Sequence, residues 1–147
     1  MLDASHIGAA LPAFNVTVEA GRLRFFAQAT GQSDPIYTDE AAARVSGLPG
    51  LPVPPTFFFC LEMASPHPSA MRELLDIDIA RVLHGEQAFV YHAMAHAGDE
   101  LRFEPRIADI YTKKGGALEF VVRETRVTDA AGRLVAELRA TTVVRNA

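Results

Sequence analysis

Apolar residues change their spacing midway along this chain, from helical and turn-rich in the first half to alternating in the second. Ala13 to Val18 alternates apolar with polar side chains and predicts a short first strand. From Glu19 to Ala29, Leu23, Phe26 and Ala27 recur at helical spacing, with Gly31 as the stop. Asp34-Pro35 then sets an extended-then-turn backbone, because proline disfavours helical geometry in the residue before it. Thr38 or Asp39 can cap a helix begun by Glu40 to Arg44. Gly47, Pro49, Gly50, Pro52, Pro54 and Pro55 make residues 45–56 a loop. It leads through Thr56 into the run Phe57 to Ala64, a helix apolar nearly all round that has to be buried on every side. Ser65-Pro66-His67-Pro68 stops it, and residues 69–75 fit a short surface helix.

From His84 onward the period falls to two. Gln87 to His96, Glu100 to Tyr111, Ala117 to Val127 and Arg133 to Val144 are four strand candidates. Lys113 to Gly116 and Asp129 to Gly132 supply hairpin turns between the last three. The final strand alternates most cleanly: Leu134, Ala136, Leu138, Ala140 and Thr142 against Val135, Glu137, Arg139 and Thr141. A buried helix followed by an antiparallel meander, with one more strand at the N-terminus, predicts an α+β hot-dog fold, a sheet wrapped around a helix. Such a sheet leaves an open edge, and pairing edges between two protomers hides it, so a dimer is expected.

At 147 residues, 49% hydrophobic and 22% charged, the chain fits a single domain over 1–147 with its own core. Its net charge of −4, with fourteen scattered Lys and Arg, argues against a nucleic-acid or polybasic membrane surface. No basic-then-apolar leader and no membrane-length apolar run is present, so a cytoplasmic protein is expected.

Few side chains suggest chemistry by themselves. Cys60, the one cysteine, lies in an apolar run and reads as packing. His92 and His96, four apart in a strand, would stand about 13 Å from each other, too far to share an ion, so no metal site is expected. His84 and Glu86 would share a face of an extended chain, as a catalytic pair or, more plainly, as a solvated turn. Asp34 beside Tyr37 could form a carboxylate–phenol pair, against the plainer reading of a turn-forming Asp before Pro. Glu62 reads as a polar residue at an exposed helix end.

The stretch Thr30-Gly-Gln-Ser-Asp-Pro-Ile-Tyr-Thr-Asp-Glu40 resembles the loop Ser-Gly-Asp-x-Asn-Pro-Ile-His-x-Asp of the MaoC-like (R)-specific enoyl-CoA hydratases and dehydratases. Gly50 to Thr56 is similar to the segment entering that family's central helix. Leu83-His84-Gly85-Glu86-Gln87 resembles a motif of its N-terminal (FAS1-like) dehydratase domains, and Gly98-Asp99-Glu100-Leu101 its Gly-Asp-x-Leu turn. Four fragments in family order cover nearly the whole chain. The resemblance implies a hydro-lyase lineage in fatty acid metabolism, acting on an acyl-CoA or acyl-carrier thioester without a cofactor. In the family the loop's Asp and His handle water and proton; here Gln32 and Tyr37 stand in their places, with Asp34 between them.

Gln32 cannot carry a proton, and a tyrosine with an ordinary pKa of about 10 is a poor base at neutral pH. The family's carbonyl donor, a backbone N–H at the helix start, corresponds to Thr56, with Pro55 and Phe57 beside it as candidate substrate-binding positions; Phe57 to Phe59 could line an acyl tunnel. Arg44, Arg81 and Arg106 are candidate phosphate contacts. These departures point to an acyl-chain-holding subunit, as a homodimer or beside a second MaoC-like subunit that supplies Asp and His. The alternatives are a hot-dog acyl-CoA thioesterase, with Glu62 the only acid on the central helix, and a non-catalytic thioester-binding module.

Overall fold

A computed structural model of the chain describes residues 1–146. Five strands form one antiparallel sheet in the order β1-β3-β4-β5-β2: β1 Phe14–Thr17, β2 Val82–Tyr91, β3 Glu100–Lys113, β4 Leu118–Asp129 and β5 Leu134–Arg145. The helices α1 (Ala20–Thr30), α2 (Glu40–Val45), α3 (Phe57–Glu62) and α4 (Ala70–Leu74) fall before β2 as expected, but β2 pairs with β5 rather than β3, so only β3, β4 and β5 form a meander. This is the hot-dog arrangement. Among the described residues no helix is long and apolar enough to cross a membrane.

The core forms where the inward positions of the sheet meet the helices. Leu23 of α1 and Phe57, Phe58 and Leu61 of α3 pack with Leu101, Phe103, Val127, Ala136 and Leu138. A second cluster joins Met71 and Leu75 of the α4 region to Ile107, Ile110, Val121 and Val144. On the opposite face, Arg106 and Arg139 both reach Glu124 while Arg126 faces Glu104, a ladder of exposed ion pairs that adds solubility more than stability.

Four expectations about these elements change. Strand β2 begins at Val82 and ends at Tyr91, so His84 and Glu86 lie inside it while His92 and His96 lie beyond it in a loop. A bulge at Gly85 interrupts its pairing, matching His84 to Thr142 and Glu86 to Thr141, so simple alternation no longer places those two residues on one face. The helix α3 spans only six residues, with Phe59 and Cys60 half-buried, rather than being enclosed on every side. In β5 the alternation holds from Ala136 to Ala140, but Val135 and Thr141 are buried too, the latter opposite the bulge.

Glu62 is the largest correction. It is not at an exposed end but 6% exposed, with Oε2 2.7 Å from the Arg123 guanidinium and Oε1 accepting the Thr125 hydroxyl. A carboxylate can be buried at this depth only because both oxygens are occupied.

Candidate functional site

The loop after α1 keeps its turn geometry for reasons visible in its hydrogen bonds. Gly31 takes a left-handed φ of 71°, its N–H bonds Gln28 O, and Gln32 N–H bonds Ala27 O, which ends the helix and turns the chain. Gln32 then spends its side-chain oxygen on the N–H of Asp34, 3.0 Å away, and stays exposed. The Asp34 carboxylate accepts the N–H of Ile36, so it closes the turn and does not pair with the Tyr37 phenol. Asp39 caps α2 through Ala41 N–H. Arg24 fastens the segment to α1, donating to Thr38 O and Glu40. Tyr37 alone of the candidate loop positions turns inward.

Tyr37 lines a cavity of about 380 Å³, within the usual size range of ligand sites. Its other walls are Val53, Pro55 and Phe58 from the approach to α3 and residues 91–95 after β2. Two backbone ties hold these walls together, Val53 N–H to Ala95 O and Ala97 N–H to Leu51 O, each 2.8 Å. Past Tyr91 the chain bends because His92 and Ala93 both donate to Val135 O. The lining is mostly apolar, with Tyr37, Tyr91 and His92 as its polar side chains. Tyr91 is itself exposed on the β2 edge, and partial desolvation of its phenol raises it above its ordinary range, so it is an O–H donor at neutral pH. His92 Nε2 lies 2.8 Å from Glu137 Oε2 across the β2–β5 pair.

Thr56 sits between Pro55 and Phe58, both on the cavity wall, and its N–H meets no acceptor among the described residues. With α3 so short, the amide itself, rather than a helix field, is what such a position offers a carbonyl oxygen. Phe57 does not line the cavity. It packs inward against Phe26, with Arg22 over its ring, and Phe58 takes the wall instead.

The remaining candidates lie elsewhere. His84 packs its ring edge on Phe59 and Glu86 is exposed; neither borders the cavity. Arg44 faces Glu40, Arg81 donates to Arg145 O and the Asn146 side chain, and Arg106 pairs with Glu124. Among the described residues no group of three or more His, Cys, Asp or Glu has metal-binding geometry. A larger hollow of about 620 Å³ overlies the outer sheet face, but its charged rim is the Arg–Glu ladder, already paired within the chain. The space beside Glu62 and Arg123 is only about 60 Å³, too small for an acyl group. Of the run Phe57 to Phe59, Phe58 lines the cavity, whereas sequence reading missed Val53, Tyr91 and His92 as cavity residues and Glu137 as the partner of His92. The signal for the last pair is the β2–β5 register, which no local motif announces.

Residues 5–138 match the family described as FAS1-like, dehydratase domain region. The chain is 34% identical over 146 residues, 98% of its length and 92% of the relative's, to a UPF0336 protein of Saccharopolyspora erythraea. It is 35% identical over 136 residues, 91% of its length and 89% of the relative's, to one from Streptomyces avermitilis. Among solved structures it superposes on the C-terminally truncated HadBC (3R-hydroxyacyl-ACP dehydratase) complex of Mycobacterium tuberculosis with a TM-score of 0.78 at 25% identity, covering 94% of this chain and 96% of that one. A MaoC-like dehydratase gives a TM-score of 0.84 at 26% identity over 97% of this chain and 43% of that one. The ChsH1–ChsH2 complex of Mycobacterium tuberculosis shares the fold, with a TM-score of 0.74 at 21% identity over 94% of this chain and 89% of that one. With a family match over nearly its full length and a hot-dog fold shared with these structures, the chain belongs to the FAS1-like dehydratase domain family of MaoC-like hydratase and dehydratase proteins.

Proposed function

We propose that this chain is the acyl-thioester-holding subunit of an (R)-specific enoyl-thioester hydratase or 3-hydroxyacyl-thioester dehydratase, acting beside a second MaoC-like subunit that supplies the Asp and His. The observation that carries this reading is the division of the family loop. Tyr37 borders an apolar cavity whose wall includes Pro55, next in the chain to the Thr56 amide, whereas Gln32, in the place of the Asp, is exposed and bonded to its own turn. The cavity suits an acyl chain, and the amide suits a thioester carbonyl. What it lacks in the loop is a proton carrier that works at neutral pH. Two structural neighbours being two-component complexes supports the partner. So does β2, an edge strand that leaves Leu83, Val90 and Tyr91 exposed, with Met94 just beyond it.

The thioesterase reading loses its support, because Glu62 is tied to Arg123 and Thr125 and does not reach the cavity. Ala93→Trp fills the proposed acyl site and tests the reading. Calorimetric titration with crotonyl-CoA is expected to show saturable binding to the parent chain and at least about a tenfold loss in the variant. Equal binding by parent and variant, or none by the parent, removes the cavity from the proposal.

A further inference from the structure

The cavity bordered by Tyr37 has an open rim and a closed inner end. At the rim Pro55, His92 and Met94 are exposed, and the Thr56 amide is next in the chain to Pro55. At the inner end Val53, Phe58 and Ala95 are only 8%, 3% and 3% exposed. Val53 N–H donates to Ala95 O at 2.8 Å, so a backbone hydrogen bond shuts this end, and Phe58 is held in the main core cluster. Neither barrier yields cheaply. A longer ligand has to break that bond or push a core ring off its neighbours, and overpacking of this kind costs more than burying one further methylene gains.

We propose that this site takes straight acyl chains of up to about eight to ten carbons, and that Phe58 with the Val53–Ala95 bridge sets the limit. The proposal rests on the cavity being the acyl-thioester site and names the class of chain it accepts. An enclosed space of about 150 Å³ holds one benzene, about six carbons. By that measure about 380 Å³ takes about fifteen non-hydrogen atoms. With the carbonyl at the Thr56 amide, the oxygen, the sulfur and the first atoms of the thiol arm fill the rim, which leaves about ten places for acyl carbons at most. The inner end also favours a plain hydrocarbon tip, because a polar group among Val53, Phe58 and Ala95 would lose its water and meet no side-chain partner.

The test is the affinity of butyryl-, hexanoyl-, octanoyl-, decanoyl- and dodecanoyl-CoA for the purified chain, each titrated below its micelle-forming concentration. Affinity is expected to rise by about tenfold for every two carbons while methylenes are being buried, and to stop rising between octanoyl- and decanoyl-CoA. Two substitutions should move that break in opposite directions. Ala95 borders the cavity, so Ala95→Leu fills part of its inner end and should bring the break down by about two carbons. Phe58→Leu leaves room there and should extend it by about two. Circular dichroism checks that each variant is folded, and if Phe58→Leu is not, Ala95→Leu decides. Affinity that levels off before octanoyl-CoA or still climbs at dodecanoyl-CoA, or a break at the same length in parent and Ala95→Leu, overturns the proposal while the cavity reading stands. Affinity independent of chain length, or no binding by any ester, overturns both.

Discussion

Replacing Glu62 by leucine removes the acceptor that two groups of β4 share. The carboxylate is 6% exposed, stands 2.7 Å from the Arg123 guanidinium and accepts the Thr125 hydroxyl. Breaking a fully buried ion pair by removing one member costs about 3–5 kcal/mol, because the other charge is left unpaired. Arg123 keeps 24% of its side chain in solvent, so the cost falls below that range, to about 2 kcal/mol, with about 1 kcal/mol more for the stranded hydroxyl. A loss of about 3 kcal/mol corresponds to a fall in Tm of roughly 6–12 °C for a chain of this size. Urea unfolding followed by circular dichroism measures it. Glu62→Leu combined with Arg123→Met removes the stranded charge and should recover most of the loss, helped by the fact that Arg123 Nε is already buried without a partner. Glu62→Leu within about 0.5 kcal/mol of the parent, or a double variant that simply adds the two single losses, would refute the reasoning.

Three further outcomes follow from local geometry. Gly85→Ala puts a Cβ 2.9 Å from both Thr141 O and Val143 Cγ2, so it should cost about 1–3 kcal/mol in the same unfolding assay; an unchanged midpoint would mean the bulge can relax. Burial pushes the Glu119 carboxyl up, but Leu2 N–H, the Asn146 amide and Arg81 nearby outweigh it and hold the group below its ordinary 4.5. A carboxyl depressed on folding stabilises above its unfolded value and loses that contribution as pH falls through the folded one. The parent's advantage over Glu119→Gln should therefore shrink between about pH 5 and pH 3, and an advantage independent of pH there would contradict it. Val90→Lys places a charge on the open edge of β2 and should lower the assembly mass seen by light scattering; an unchanged mass would move the interface elsewhere.

The sheet was legible from sequence where a strand has one buried face. In β5, Ala136, Leu138 and Ala140 alternate with Glu137 and Arg139, and the periodicity states the orientation directly. Strand β2 was misplaced for the opposite reason. It is an edge strand with most residues exposed, so no alternation marks its start at Val82, and the apolar residues at 93–95 line a cavity wall instead of continuing it. Glu62 looked like a helix-end residue because its partners Arg123 and Thr125 lie on another element, and only tertiary packing shows them. In the site, the turn chemistry of Gly31, Asp34-Pro35 and Asp39 was local and therefore readable. His92 was not, since it was weighed as a strand residue paired with His96, and its partner Glu137 comes from a strand pairing that spans the gap between them.

The most direct measurement is crotonyl-CoA hydration by this chain alone, by a MaoC-like subunit with an intact Asp-x-Asn-Pro-x-His loop from the same organism, and by the two together. If this chain holds the thioester and the partner carries the proton chemistry, turnover is absent for this chain alone, rises sharply in the mixture, and disappears when the partner's loop Asp is changed to Asn. The cavity-filling Ala93→Trp should also abolish the gain. Turnover by this chain alone, or a mixture no faster than the partner by itself, would contradict the division of labour.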